Sequence, residues 1–319
     1  MNWAKKIVVA GRLPEEYERR IRAEFPGVTL VICGGDAERI REEIVDAHMV
    51  FGRVTRDQFL LGRALELVHV SVAGVESMCF PEMVASQVVM TNSRGIHSRP
   101  MAEHIQAMML ALYRNLPAML KAQYETRWAP LPREQFSTLE GKTVGLLGTG
   151  TIGDLTAKLC QAFGCRTIGF NLSGHRTIHI ESVYSGRALS EFLALSDVVV
   201  NTLPHTPATR GLMGAEQFSR MKRSAIFINV GRGATVAEPA LVNALQEGSI
   251  AGAGLDVFAQ EPLAPDSPLW RMPNVIISPH QSGDVPSTAA RVYDLFIENL
   301  RRYRDGQPLL NVVDKAKGY

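Results

Sequence analysis

Lys142-Thr-Val-Gly-Leu-Leu-Gly148-Thr-Gly150-Thr-Ile-Gly153 is the stretch of this 319-residue chain whose reading decides the fold. A short run with strand character ends in G-x-G-x-x-G and passes into the helical run Leu155 to Phe163. The glycine spacing alone is weak evidence; a strand before it and a helix after it supply the confirming context. Gly148 permits a tight turn, Gly150 lets backbone approach a pyrophosphate, and Gly153 allows close helix–strand packing. The free N–H groups at the helix start, around Thr151 and Ile152, face such phosphates, and Thr151 adds a hydroxyl. The plain alternative is a glycine-rich turn in an ordinary βα unit.

Working outward, short β-branched runs alternate with amphipathic segments almost throughout. Upstream, strands are predicted at Lys6 to Ala10, Thr29 to Cys33, Met49 to Phe51, Val68 to Val72 and Val88 to Thr91. Glu15 to Glu24 and Ala37 to Val45 are helical stretches between them. A second series follows the polar, proline-marked stretch Ala129 to Thr138. Its strands are Lys142 to Leu147, Arg166 to Phe170, Val198 to Thr202, Ala225 to Val230, Gly252 to Val257 and Val275 to Ser278. Alternation of this kind predicts βαβ units and parallel sheet, in two sheets of about five or six strands each. The fold class is therefore α/β, with two Rossmann-like or flavodoxin-like domains. One long helix is expected over Ser98 to Leu120 and another over Ala289 to Tyr303, the latter stopped by Gly306 and Pro308. If the last helix returns to the first domain, the nucleotide-binding domain (98–287) is inserted in a substrate-binding domain made of 1–97 and 288–319.

Composition narrows the function classes. A net charge of +2, with acids and bases interspersed as in Glu15-Glu16 beside Arg19-Arg20, gives no electrostatic case for nucleic acid or an anionic membrane. No apolar run is long enough to cross a bilayer as a helix. Cys33, Cys79, Cys160 and Cys165 form neither a CxxC pair nor a metal-ligand cluster. Packing roles in a reducing cytoplasm, and no metal, are the expectation.

The end of the second strand of the nucleotide-binding series bears on the cofactor. An acidic residue there would grip the adenosine ribose hydroxyls and repel a 2′-phosphate. This chain has Asn171, followed by Leu172-Ser173-Gly174-His175-Arg176. Ser173, His175 and Arg176 all carry donors suited to phosphate. The loop favours NADP(H); NAD(H), used with a merely polar loop, is the alternative.

Three further segments end strands with chemistry-bearing residues. They are Phe227-Ile-Asn-Val-Gly231-Arg232-Gly233, Gly252 to Asp256 running on to Glu261-Pro262, and Ile276-Ile-Ser-Pro279-His280-Gln281-Ser282-Gly283. Hydride transfer to a 2-oxo acid needs a proton donor for the carbonyl oxygen, and histidine suits that task near neutrality. A carboxylate beside it stabilises imidazolium. A guanidinium polarises the carbonyl or holds the carboxylate. His280, Glu261 and Arg232 are residues of those types. Taken singly, each has an ordinary reading as a loop histidine or a surface ion pair.

Together these segments resemble the D-isomer-specific 2-hydroxyacid dehydrogenase family over nearly the whole chain. Val230-Gly-Arg-Gly233, Leu255-Asp-Val-Phe258 with Glu261-Pro-Leu263, Asn274-Val-Ile with Pro279-His280, and Leu203-Pro-His-Thr-Pro207 with Thr209-Arg210 carry the likeness. The resemblance implies that Arg232 binds substrate, that Glu261 and His280 form the acid/base dyad, and that Asp256 holds the nicotinamide carboxamide. It adds Leu203, Pro204, Val230, Gly231 and Gly283 to the cofactor contacts. Backbone N–H groups of Ala73, Gly74 and Val75, within Ser71-Val-Ala-Gly-Val75, would receive the substrate carboxylate. Thr91-Asn-Ser and Ala102-Glu-His104 resemble the linker and its following helix, which implies a homodimer; Trp128 falls where some relatives place an aromatic near the neighbouring subunit's site. Asn171, Gln281 and Asp284 depart from the family pattern. His175 and His205, near the presumed cofactor site, are read as structural or solvated.

The expected function is reduction of a small 2-oxo acid to a D-2-hydroxy acid. The rivals are a formate dehydrogenase-like enzyme, against which Glu261 argues, and a non-enzymatic dinucleotide-sensing regulator. The substrate side chain stays open, with Arg53 and Val54 as candidate pocket residues.

Overall fold

The computed structural model describes residues 3–318. Five parallel strands, β1 (Lys6–Val9), β2 (Thr29–Ile32), β3 (Met49–Phe51), β4 (Leu67–Val70) and β5 (Val89–Asn92), form one sheet in the order β2-β1-β3-β4-β5. Ile7, Val8 and Val9 are all fully buried, as befits a strand covered on both faces. Side-chain alternation divides them. Val8, Val50 and Val68 pack with Ile40, Ile44 and Met83 on one face. Ile7, Val9, Met49 and Phe51 pack with Tyr17, Ile21, Phe296, Ile297 and Leu300 on the other. The last three belong to the closing helix, Pro286–Arg304.

The second sheet has seven parallel strands: β6 (Thr143–Leu147), β7 (Arg166–Phe170), β8 (Ser182–Tyr184), β9 (Val198–Asn201), β10 (Ile226–Asn229), β11 (Gly252–Leu255) and β12 (Val275–Ile277). Their order is β12-β11-β10-β9-β6-β7-β8. This is a doubly wound sheet whose strand order reverses between β6 and β9, the position where such folds bind ligands. Ile105, Met108 and Met109 of the helix Ser98–Tyr113 cover Val144, Leu146, Val198, Val200 and Ile228. The opposite face packs Leu147, Val199, Phe227, Ala253 and Leu255 with Phe192, Phe218 and Leu241.

Two expectations are corrected. The second sheet has a seventh strand, β8, whose three half-buried edge residues are too few and too mixed to show a period-2 pattern. The single helix expected over Ser98 to Leu120 is two, Ser98–Tyr113 and Leu116–Tyr124. Asn115 adopts a left-handed φ of 52°, and Pro117 cannot donate to a preceding turn, so the chain restarts there.

The chain divides into two compact units, one of residues up to Ile96 together with those from Val285 onward, the other His97–Asp284. The sequence places these divisions at 97/98 and 287/288.

Candidate active site

β6 delivers the chain to Gly148, whose φ of 101° lies where a side chain would be strained. A Cβ on Gly153 would stand 2.2 Å from the Gly148 carbonyl oxygen, whereas one on Gly150 would meet nothing within 4 Å. The turn is thus closed on its inner side and open in front of Gly150. The helix Thr151–Ala162 begins there with no side-chain cap. Uncapped first-turn N–H groups beside an open glycine fit a pyrophosphate. The Thr151 hydroxyl accepts from Ser98 Oγ at 3.0 Å, and Ile152 packs partly into the core.

Across the strand-order reversal, Leu203 and Pro204 follow β9, and Val230 and Gly231 follow β10. A buried asparagine pair shapes both exits. Asn201 Oδ1 accepts from Leu203 N–H and Asn229 Oδ1 from Gly231 N–H, each at 3.1 Å. Asn201 Nδ2 donates to Asn229 Oδ1 at 3.0 Å and to Thr235 Oγ1 at 2.7 Å. A Cβ on Gly231 would lie 2.7 Å from the Leu203 carbonyl oxygen, so only glycine lets the two loops meet. The Val230 side chain is buried and leaves only backbone for a ligand.

At the end of β7 the Asn171 side chain is engaged by its own surroundings. Its Nδ2 donates to Thr149 Oγ1 at 2.6 Å and to His175 O at 3.0 Å. Its Oδ1 accepts from Gly174 N–H at 2.6 Å and from Ser173 Oγ at 3.3 Å. Asn171, expected among the cofactor contacts, thus also closes the loop, while Ser173, His175 and Arg176 are exposed.

The three residues expected to carry the chemistry lie beyond the carboxyl ends of three neighbouring strands. Arg232 follows β10, its Nη1 donating to Gly231 O at 2.8 Å. Glu261 follows β11, with Oε1 accepting from Phe258 N–H at 3.0 Å. His280 follows β12, and its Nδ1 lies 2.7 Å from Glu261 Oε2. A carboxylate there accepts from Nδ1–H, which leaves Nε2 to exchange a proton. Half of the His280 side chain is exposed, so that nitrogen is within reach of a ligand. The residue has φ 56°, a left-handed conformation uncommon outside glycine.

Asp256 explains how that conformation is held. It is fully buried, and its Oδ1 accepts from Ser278 Oγ at 2.5 Å and Gln281 N–H at 2.9 Å. Ser282 N–H reaches both oxygens, at 3.2 and 3.1 Å. The carboxylate expected to hold a nicotinamide carboxamide thus faces the loop that carries His280. His104 Nε2, 3.0 Å from Ser278 Oγ, extends the network to the helix Ser98–Tyr113. Nothing in the sequence marks Ser278 for a role except its place directly before Pro279-His280. Gly283 is packed against His97, its carbonyl 3.2 Å from the imidazole Nδ1.

In the other unit, Ala73, Gly74 and Val75 lie in the loop beyond β4. Ala73 is exposed, and its carbonyl accepts from Asn92 Nδ2 at 2.7 Å. The Val75 side chain is buried. Arg53 is exposed after β3, but Val54 belongs to the core of that unit and is unavailable as a pocket wall. Among the described residues, no group of three His, Cys, Asp or Glu side chains is placed to hold a metal ion, and no helix is long and apolar enough to cross a membrane.

Comparisons with known proteins agree with this fold. The model of the D-isomer specific 2-hydroxyacid dehydrogenase NAD binding domain matches residues 106–282, more than half of the chain. A glyoxylate reductase from Korarchaeum cryptofilum is 29% identical, the match covering 97% of this chain and 96% of the relative. A glyoxylate/hydroxypyruvate reductase A from Escherichia fergusonii is 31% identical over 82% of this chain and 84% of its own. Among solved structures, a D-isomer specific 2-hydroxyacid dehydrogenase from Xanthobacter autotrophicus in complex with NADPH superposes with a TM-score of 0.86 at 32% identity, covering 99% of this chain and 100% of that one. An NADPH-dependent glyoxylate/hydroxypyruvate reductase from Sinorhizobium meliloti, in complex with NADP and sulfate, gives 0.83 at 28% identity over 99% of this chain and 100% of its own. The chain belongs to the D-isomer specific 2-hydroxyacid dehydrogenase family.

Proposed function

We propose that the protein reduces a small 2-oxo acid to the D-2-hydroxy acid with a nicotinamide dinucleotide, NADP(H) in preference to NAD(H). The observation that carries this reading is the His280–Glu261 pair at 2.7 Å, in the same unit as the glycine cradle. When bound, the nicotinamide supplies the hydride. His280 gives the Nε2 proton to the oxygen on carbon 2, and Glu261 orients the ring and stabilises the imidazolium. Arg232 holds the substrate by charge-assisted hydrogen bonds. We assign the substrate carboxylate to the backbone N–H groups of Ala73, Gly74 and Val75, and with it the substrate-binding role to the unit that contains them. Gly148, Gly150, Thr151, Ile152 and Gly153 take the pyrophosphate, with Leu203, Pro204, Gly231, Gly283 and the backbone of Val230 along the rest of the dinucleotide, while the buried Asp256 acts through the loop that carries His280. Ser173 and Arg176 supply donors for a 2′-phosphate. The named substrates of the relatives, glyoxylate and hydroxypyruvate, and the NADPH and NADP in the two solved structures support this reading.

We further propose a cytoplasmic homodimer. Leu116, Met119, Leu120, Tyr124 and Trp128 are exposed along one short stretch, and Trp128 is 98% accessible. So much apolar surface in one segment marks a contact face.

A panel of 2-oxo acids and formate, each tested with NADH and NADPH by the absorbance of reduced cofactor, tests the reading. Turnover of glyoxylate, hydroxypyruvate or a related 2-oxo acid is expected. Activity on formate alone, or dinucleotide binding without turnover on any acid, would overturn it.

A further inference from the structure

The loop between β7 and β8 is closed at both ends by side chains. Asn171 closes the near end, as described above. At the far end, Asp154, in the first turn of the helix Thr151–Ala162, accepts from the His179 backbone N–H at 3.0 Å through Oδ1. Its Oδ2 lies 2.8 Å from His179 Nδ1. The His179 carbonyl accepts from Thr167 Oγ1 at 2.9 Å and from Gln161 Nε2 at 3.0 Å. One residue is thus gripped through its N–H, its ring and its carbonyl. Burial would raise the Asp154 carboxyl, yet hydrogen bonds, those from His179 foremost and one from Thr177, hold it below its ordinary value.

Apolar packing does not anchor the segment between the two closures. Leu172 is 75% and Ile178 89% exposed, so these two apolar side chains give it no packing. Ser173, His175 and Arg176 lie on this span. A short polar loop without apolar anchors keeps one shape only if its ends are tied.

We propose that the Asp154–His179 pair is a positioning clasp that fixes the shape of loop 172–178 and thereby sets the discrimination between NADPH and NADH. The proposal rests on the dinucleotide reading above. A loop ordered in advance presents its donors to a 2′-phosphate without an ordering cost at binding. NADH carries no such phosphate and gains far less from the order. Neither residue touches the reacting atoms.

The test is the ratio of KM for NADH to KM for NADPH, with kcat, in the wild type, Asp154→Ala, His179→Ala, the double variant and Asp154→Asn. Each single alanine variant should lower the ratio by about tenfold while leaving kcat within about twofold, and the double should be no worse than either single. Asp154→Asn keeps an acceptor for the His179 backbone N–H and should fall between, and it serves should the alanine variants fail to fold. A ratio unchanged within about twofold in the variants that fold, or single effects that add in the double, would overturn the clasp. A wild type that prefers NADH would overturn the NADP reading instead. The clasp would then still stand or fall on whether the ratio moves between variants.

Discussion

His280 donates its backbone N–H to the carbonyl of Asp256 at 2.8 Å, and the Asp256 carboxylate binds the next two backbone N–H groups, those of Gln281 and Ser282. The left-handed backbone of His280 is therefore held from within the protein by a buried carboxylate. Glu261 fixes the imidazole on the outer side. Backbone and ring are constrained by separate residues, and their removal should have separable effects.

His280→Ala removes the proposed proton donor but none of the proposed dinucleotide contacts. Its kcat should fall by about two to four orders of magnitude, while dinucleotide affinity by fluorescence titration stays within about twofold. Glu261→Gln keeps the size but loses the charge and should cost less. A kcat within a factor of two of wild type for His280→Ala would remove the assignment.

Asp256→Ala leaves the backbone N–H groups of Gln281 and the buried Ser282 without their acceptor, and Ser278 with only His104 as partner. The cost should be about 1–3 kcal/mol of stability for an unmet buried group, read as a lower denaturation midpoint. Because the His280 loop loses its support, kcat should fall as well, and Ser278→Ala should give a weaker form of both effects. Full activity in a folded Asp256→Ala would show that the loop keeps its shape unaided.

Arg176 is exposed and stands on the loop proposed to meet the 2′-phosphate. Arg176→Ala should raise KM for NADPH by about tenfold or more and change KM for NADH little, as expected on losing a charge-assisted contact. Equal effects on both cofactors would exclude a phosphate contact.

His69 is fully buried in the other unit, its Nδ1 2.8 Å from Thr91 Oγ1, and burial lowers its pKa from 6.5 to about 4. The unfolded chain takes up this proton near 6.5, whereas the folded unit resists until about 4. Stability from this residue is therefore complete above pH 6.5 and is lost as the pH falls towards 4, by at most about 3 kcal/mol. Denaturant melts at several pH values should show a shallower acid slope for His69→Gln than for wild type, whatever its absolute stability. Parallel slopes would count against a neutral buried imidazole.

For the dimer, Leu120→Asp combined with Trp128→Asp places two charges on the exposed stretch that follows Asn115. Sedimentation should report a dimer for wild type and a monomer, or a dimer weakened by about a hundredfold, for the variant. A monomeric wild type would end the proposal.

Much of the site was legible because it sits where local patterns change. The glycine loop, Arg232, Glu261 and His280 all follow recognisable strands, and such positions collect function in open α/β sheets. Asn171 was legible as a departure at the end of β7 but not in its use, since its four partners include Thr149, far back in the chain. Asp154 and His179 gave no signal at all. Their separate sequence neighbourhoods are an ordinary helix turn and a polar loop.

What the sequence determined by itself was the α/β alternation, most of the strands, the place of the glycine cradle and the residues proposed for proton transfer. Those follow from apolar periodicity, glycine spacing and residue chemistry, all of which act over a few neighbouring positions. The tertiary structure alone decided which carboxylate meets which partner: Glu261 with the His280 ring, Asp256 with the backbone around it, Asp154 with His179. Hydrogen bonds act over about 3 Å, and only the folded sheet brings residues from separate strands and loops that close.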